Sequence, residues 1–500
     1  MDNKQSFVKA VKWAFTANWG QKGLSSLFVI ILASILGPSE YGIVAIATVY
    51  VSFLQMFLDQ GLMAAIIQRE DLRDEHLDAV FWMNQVLAVG LVGVSVILSS
   101  WWAAKNHAPA ASRLISVLSL DIPLMALVNV QSAILNRRMD FKSLAICANL
   151  SALVGGIVGV SMAEAGFRAW SLVGQQLSKD TITVFVLWKS CRWCPRCEFS
   201  WKHLKELTDF SISNFIAQLG IFADQQASSV ILGIFFGPVA LGLYRLADRI
   251  VSSVVNMTMA AIQSVSFPEF ARLQHEPEAL RKSVLTCIRL TAAITLPALC
   301  GLAAVSKSLM ASIGPNWILA SPVLKLLCML GVTIVFAFFT GPLLQALSRP
   351  RELALLEWAR MGVGTVMLLG VGYLVRNSSI SWQIVSIAMA RFVAGSLIVA
   401  PVFVYILMRL SRISIKEFFF SVGPAAISAA SVVASVHLYE SVGWLRTTRP
   451  IIYLTSEIVI GGVVGLFVLL GCETRLRRSI TSLLYRNLRC VVPVKQSVLL

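Results

Sequence analysis

Leu36-Gly37-Pro38-Ser39-Glu40-Tyr41-Gly42 and Phe236-Gly237-Pro238-Val239-Ala240-Leu241-Gly242 are two versions of one turn, 200 residues apart. Working outward, Gly20 is in phase with Gly220, and Asn18, Ser25 and Ser26 are matched by Gln218, Gln225 and Gln226. A second match pairs Leu135 to Phe141 with Leu347 to Leu353, so small insertions separate the copies. Both copies lie in apolar sequence of membrane length. An internal repeat in such a chain points to two homologous bundles that rock against each other around a shared site.

With 57% hydrophobic and only 14% charged residues, the composition is that of an integral membrane protein. Apolar stretches near or above 18 residues recur along the chain, and no ten-residue alternation argues for a β-barrel. Fourteen spans are expected, at about 13–36, 41–65, 80–104, 113–135, 144–164, 167–189, 208–236, 239–266, 284–310, 321–347, 353–376, 380–408, 416–439 and 450–472. The predicted fold is therefore all-α and membrane-embedded. Six spans precede the second copy, so spans 1 and 7 run the same way. The halves are parallel repeats about an axis along the membrane normal. The expected division is a first six-helix bundle with its linker (1–205), a second bundle (206–412), and spans 13 and 14 with a basic tail (413–500).

The net charge of +16 could suggest nucleic acid, but its distribution argues for topology. With the amino terminus in the cytoplasm, 27 of the 42 Lys and Arg fall in cytoplasmic segments and 7 in the opposite loops. That bias, with an even number of spans, puts both termini in the cytoplasm. Met1 to Lys12 reads as a short surface helix, and the arginines after Cys472 as an anchor on anionic membrane lipid. Cys191, Cys194 and Cys197, with His203, have spacing that could suit zinc, but a short basic loop offers no fold to hold it. No metal, cofactor or nucleic acid is expected.

Polar residues in a span are costly and should face a bundle interior or a hydrated cavity. Helical spacing puts Asn18, Lys22 and Ser25 on one face of span 1, and Thr48, Ser52, Gln55 and Asp59 on one face of span 2. Span 7 carries Asn214, Gln218, Gln225 and Ser229, with Asp224 beside them. Span 8 carries Arg245, Asp248, Arg249, Ser252 and Asn256. These four helices are the equivalent pairs of the two halves and should line a central cleft. Arg249 lies 11 residues past Pro238, about 16 Å down the helix and near the midplane. Lys22, Arg245 and Arg249 are too many deep cations for the nearby acids, which points to an anion site. Asn18, Gln218, Gln225 and Asn256 are expected to bind substrate beside them. Asp59, Asp224 and Asp248 are expected to modulate the charge, with coupling to a proton or sodium gradient as one route. Glu357 and Arg360, at i and i+3, read as a local ion pair. There is no phosphate loop, paired metal-binding histidine or nucleophile elbow, so transport is expected rather than catalysis.

Leu36 to Gly42, followed by Phe57-Leu58-Asp59-Gln60-Gly61-Leu62, Ile67-Gln68-Arg69 and Asp78-Ala79-Val80-Phe81-Trp82, resembles the Wzx-type polysaccharide flippases, of the colanic-acid and succinoglycan kind. These belong to the multidrug/oligosaccharidyl-lipid/polysaccharide exporter superfamily. The resemblance implies a V-shaped pair of six-helix bundles in the bacterial inner membrane. It implies a substrate of undecaprenyl-pyrophosphate-linked oligosaccharide moved between leaflets, with a polysaccharide polymerase and a chain-length regulator as partners. A drug or cation antiporter of the same superfamily is the alternative, and it predicts an acidic cleft. A membrane polysaccharide polymerase is a more distant alternative, because no large outer loop exists.

Overall fold

The structure, a computed structural model, describes residues 20–59, 62, 63, 66, 71–196, 201–442 and 450–472. Side chains at 59, 202–218, 260, 261, 263–265 and 350 fall outside that set. Asn18, the side chains of Asp59, Asn214 and Gln218, the segment Met1 to Lys12 and the basic tail therefore lie outside the described residues.

Helices and turns make up all of the described chain. Six helices form the first half: α1 (Gly20–Ile35), α2 (Pro38–Asp59), α3 (Asp74–Lys105), α4 (Ala111–Arg137), α5 (Phe141–Glu164) and α6 (Trp170–Cys191). A continuous helical stretch, Trp201–Arg272, then bends sharply at Gly237 (φ 77°, ψ −170°) into α7 (201–236) and α8 (238–272). Glycine has no Cβ to clash at that positive φ, and Pro238 then restarts the helix at its first position. After α9 (Pro277–Ala304) come α10 (Pro315–Ala346), α11 (Pro350–Leu374), α12 (Ile380–Ser411), α13 (Ile415–Val442) and α14 (Pro450–Cys472). A short helix, Ser306–Ile313, precedes α10.

Among the described residues, eleven helices are long and apolar enough to cross a membrane, counting 219–259 as one. The chain is a multi-pass membrane protein, but length and hydropathy do not establish the expected fourteen spans. The described part of α1 is short. In α6, Lys179, Asp180 and two glutamines dilute the apolar character.

The sequence repeat is also the contact between the halves. A methyl group on Gly42 of α2 would collide with the Pro238 carbonyl of α8, and one on Gly242 with the Pro38 carbonyl. Each residue meets the counterpart of its own partner, the reciprocity a two-fold relation imposes. Small residues let the two backbones touch, which is how membrane helices gain packing energy without a hydrophobic drive. Trp317, 2% exposed, seals the same end. Its indole N–H donates to the Ala33 carbonyl at 2.8 Å, and its ring meets Tyr41 edge-on at 5.8 Å.

The distribution of cores gives the shape. One large apolar core draws on both halves at the Gly-Pro end, from Val44 and Tyr50 to Leu243 and Trp317. Towards the opposite end this core gives way to two. One belongs to the first half (Leu77, Phe81, Leu135, Leu187) and one to the second (Phe270, Leu280, Phe339, Leu407). The core at the Gly-Pro end is thus shared by the lobes, whereas each of the other two belongs to one lobe, and Phe53 still meets Phe222 across the lobes at 6.1 Å. Helix α13 packs against α9, and α14 against α13, where Gly461 and Gly465 admit Val432 and Val436.

Motif residues that carried the resemblance have structural duties. The Glu40 carboxylate accepts from the Ala169 amide at 3.2 Å, tying α2 to α6. Asp78 accepts from the Arg196 amide (2.9 Å) and Trp82 donates to the Arg196 carbonyl (2.6 Å), pinning the segment after α6 to α3. Cys191 is buried where α6 ends, and Cys194 is exposed. Cys197 and the His203 side chain lie outside the described residues.

Candidate functional site

Lys22 comes from the first lobe and Arg249 from the second, and the structure brings them close enough for the charge of Arg249 to act on Lys22. Tyr41, one residue before Gly42, faces both Arg249 and Arg245. The turn that closes the lobes thus also positions a ring beside the cations. Lys22 is half-buried and Arg249 exposed. Among the described residues, neither makes an ion pair. Two like charges brought together with no acid between them repel. An arrangement that tolerates this repulsion suits an anion.

Arg249 also lines a cavity of about 660 Å³. Ser26 of α1, Ser253 of α8, Pro297 of α9, Val432 of α13 and Gly461 of α14 sit on its walls. The cavity is cationic at Arg249 and apolar over most of the remaining lining. Glu457 of α14 interrupts that lining. It is fully buried, with Oε1 accepting from Ser308 at 3.2 Å and Oε2 without a donor among the described residues. The sequence reading passed over Glu457, although it is the one acid in Pro450–Cys472.

Arg245 takes a different place from Arg249. Its guanidinium donates to Gln226 Oε1 and Ser229 Oγ, both at 3.3 Å, across the α7–α8 hairpin. It faces Tyr41 but is held by its own lobe. Gln225 and Asn256 are exposed on α7 and α8. The side chains of Asn18, Gln218 and Asp59 cannot be placed on this surface, since they lie outside the described residues.

Asp224 and Asp248 interact with arginines of the second lobe. The Asp224 carboxylate sits 3.5 Å from both Arg360 of α11 and Arg391 of α12, and its carbonyl accepts from Arg391 at 3.1 Å. Arg360 also pairs with Glu357 at 2.8 Å, as the i, i+3 spacing predicts. Asp248 acts on Arg391 as well. These groups, three carboxylates and two guanidiniums, form a mixed charge cluster inside the second lobe, beside a second cavity of about 700 Å³. Asp224, read from sequence as a modulator of the cleft cations, is already neutralised by arginines from distant helices.

A family model described as "Polysaccharide biosynthesis protein" matches residues 31–322. The succinoglycan biosynthesis transport protein ExoT of Rhizobium meliloti is 29% identical over 65% of this chain and 66% of its own length, so the chain spans about two thirds of that relative. The lipopolysaccharide biosynthesis protein WzxC of Escherichia coli is 24% identical over 70% of this chain and 72% of its own. Among solved structures, the lipid II flippase MurJ in an inward closed conformation superposes with a TM-score of 0.69 at 12% identity, covering 94% of this chain and 98% of MurJ. An inward-facing multidrug resistance MATE family transporter of the MOP superfamily superposes at 0.59 with 18% identity, over 78% of this chain and 95% of its own. At those identities the structural matches establish a shared two-lobe fold.

Proposed function

Because the chain belongs to the polysaccharide biosynthesis protein family, we propose that it flips undecaprenyl-pyrophosphate-linked oligosaccharide units from the cytoplasmic to the outer leaflet of the bacterial inner membrane. The observation that carries this reading is the approach of Lys22 and Arg249, from different lobes and with no ion pair among the described residues, where Arg249 lines a largely apolar cavity. A pyrophosphate bridges two such cations through charge-assisted hydrogen bonds. The polyprenyl chain suits the apolar lining between α8, α9, α13 and α14. The sugars face the polar residues of α7 and α8, including Gln225 and Asn256. The names of the transport relatives support the same substrate class.

The basic segments between helices lie at the end opposite the Gly-Pro contact, so the positive-inside rule favours a cytoplasmic place for that end and for both termini. In this reading the structure is an inward-facing state, closed by the Gly-Pro contact. Lobes 1–205 and 206–412 rock about that contact, and 413–500 forms a flank for the lipid tail. Alternating access of this kind needs no covalent step. The unmatched cations at the lobe junction argue against a cation antiporter, whose cleft should be acidic.

The test is a deletion strain complemented with Lys22→Gln/Arg249→Gln at native abundance. The expected result is loss of polymer export with lipid-linked units accumulating on the cytoplasmic face. Normal export from the double variant refutes the assignment of the anion site. Units accumulating on the outer face point instead to a polymerase.

A further inference from the structure

Asp121 of α4 and Asp180 of α6 meet inside the first lobe, and each is only 4% exposed. Gln176 Nε2 donates to Asp180 Oδ2 at 2.8 Å and lies 3.4 Å from Asp121 Oδ2, so both carboxyls converge on one amide. Gln55 of α2 donates to the same Asp121 oxygen at 2.8 Å. The other oxygen, Asp121 Oδ1, has no donor among the described residues, although the Asp180 carboxyl is at hydrogen-bonding range of Asp121. The charged groups acting on Asp180 are Asp121 and the adjacent Lys179. Among the described residues, α2 contributes the neutral Gln55, and no charged side chain of α3 or α5 acts on Asp180.

Two touching carboxylates in an apolar interior cannot both be ionised. One proton between them removes the repulsion and gives the pair the donor it lacks. The surroundings assign it. Asp121 accepts from the amides of both Gln55 and Gln176, whereas Asp180 accepts from Gln176 alone. Asp180 lies in the middle of α6 and carries the hydrogen.

We propose that Asp121 and Asp180 are a one-proton site in the first lobe, and that loading and releasing this proton biases the lobe contact through Gln55. Gln55 lies 13 residues beyond Gly42 on the same helix, about 20 Å along it. The proton locks α2, α4 and α6 through the shared amides, and its loss sets two like charges against each other beneath α2. The proton enters from water on one face of the membrane and returns to water on the other, with no bond made or broken in the substrate. The coupling part of this inference rests on the transport reading above, whereas the protonation part does not.

Two measurements on full-length protein test it. Infrared difference spectroscopy on protein in nanodiscs should show a protonated-carboxyl band that loses intensity in both Asp121→Asn and Asp180→Asn. Liposomes of anionic phospholipid carrying fluorescent undecaprenyl-pyrophosphate-linked sugar should show flipping accelerated severalfold by a pH gradient in the wild type. Asp180→Asn, which mimics the protonated group, should flip at a gradient-independent rate with folding preserved. An unchanged infrared band in both variants overturns the proton site. A pH response retained in Asp180→Asn, or flipping driven by sodium alone, overturns the coupling. Wild-type protein that flips nothing refutes the transport reading, and the infrared measurement still decides the proton.

Discussion

Placing methyl groups on Gly42 and Gly242 should push the lobes apart at their joined end. A Cβ on Gly42 would overlap the Pro238 carbonyl oxygen and lie 3.0 Å from the Pro238 Cα. One on Gly242 would overlap the Pro38 carbonyl oxygen and lie 3.0 Å from the Gly42 nitrogen. These neighbours are backbone and cannot rotate away, so α2 and α8 must separate by about 1 Å to reach ordinary carbon contact distances. Overpacking of this kind costs about 1–3 kcal/mol in the joined state. It costs nothing in a state where these ends are apart. Gly42→Ala/Gly242→Ala therefore shifts the population towards the opposite-facing state by about 5- to 150-fold. Hydrogen exchange by mass spectrometry on full-length protein in nanodiscs reads this directly. Amides in 30–48, 232–248 and 314–320 should exchange faster, with little change in 280–300. Gly37→Ala is the control, because nothing lies within 4 Å of its Cβ position. Exchange at wild-type rates in the double variant, at unchanged thermal stability, refutes the argument that this contact holds the lobes.

Asp224→Asn removes the shared counter-charge of Arg360 and Arg391 and should destabilise the second lobe by about 3–5 kcal/mol, seen as a lower Tm. Changing all three residues to hydrophobes of similar volume should recover most of that loss. Trp317→Phe keeps most of the ring contact with Tyr41 but loses the bond to the Ala33 carbonyl; exchange at 30–42 should rise by an amount equivalent to about 1 kcal/mol. Trp82→Phe should free the segment 192–196, detected as faster limited proteolysis there with substrate binding unaffected.

The repeat was legible because it rests on local chemistry. A Gly-Pro turn between two apolar spans reads the same in both halves, and its glycines proved to be the contact between them. Lys22 and Arg249 were legible for a related reason: helical spacing fixes which face a residue occupies, and the paired helices of two repeats must face a common axis. Partners across long separations were not legible. The neutralisation of Asp224 needs Arg391, 167 residues further on, and no spacing rule reaches that far. Asp121 reads as a residue before a proline kink, and Asp180 as a neighbour of Lys179. Their meeting depends on how α4 and α6 pack. Hydropathy alone does not establish all fourteen expected spans, because polar residues facing the lobe interior dilute it, as along α6.

The most direct test is the affinity of the purified protein for undecaprenyl pyrophosphate against undecaprenol, which has the same chain and no charge. Binding of the pyrophosphate should be tighter and salt-sensitive, and should fall about 10- to 100-fold in each of Lys22→Gln and Arg249→Gln, the loss of one charge-assisted contact apiece. Undecaprenol should bind all three proteins equally. Equal affinity of the wild type for both lipids, or pyrophosphate binding unchanged in the two variants, contradicts an anion grip formed by Lys22 and Arg249.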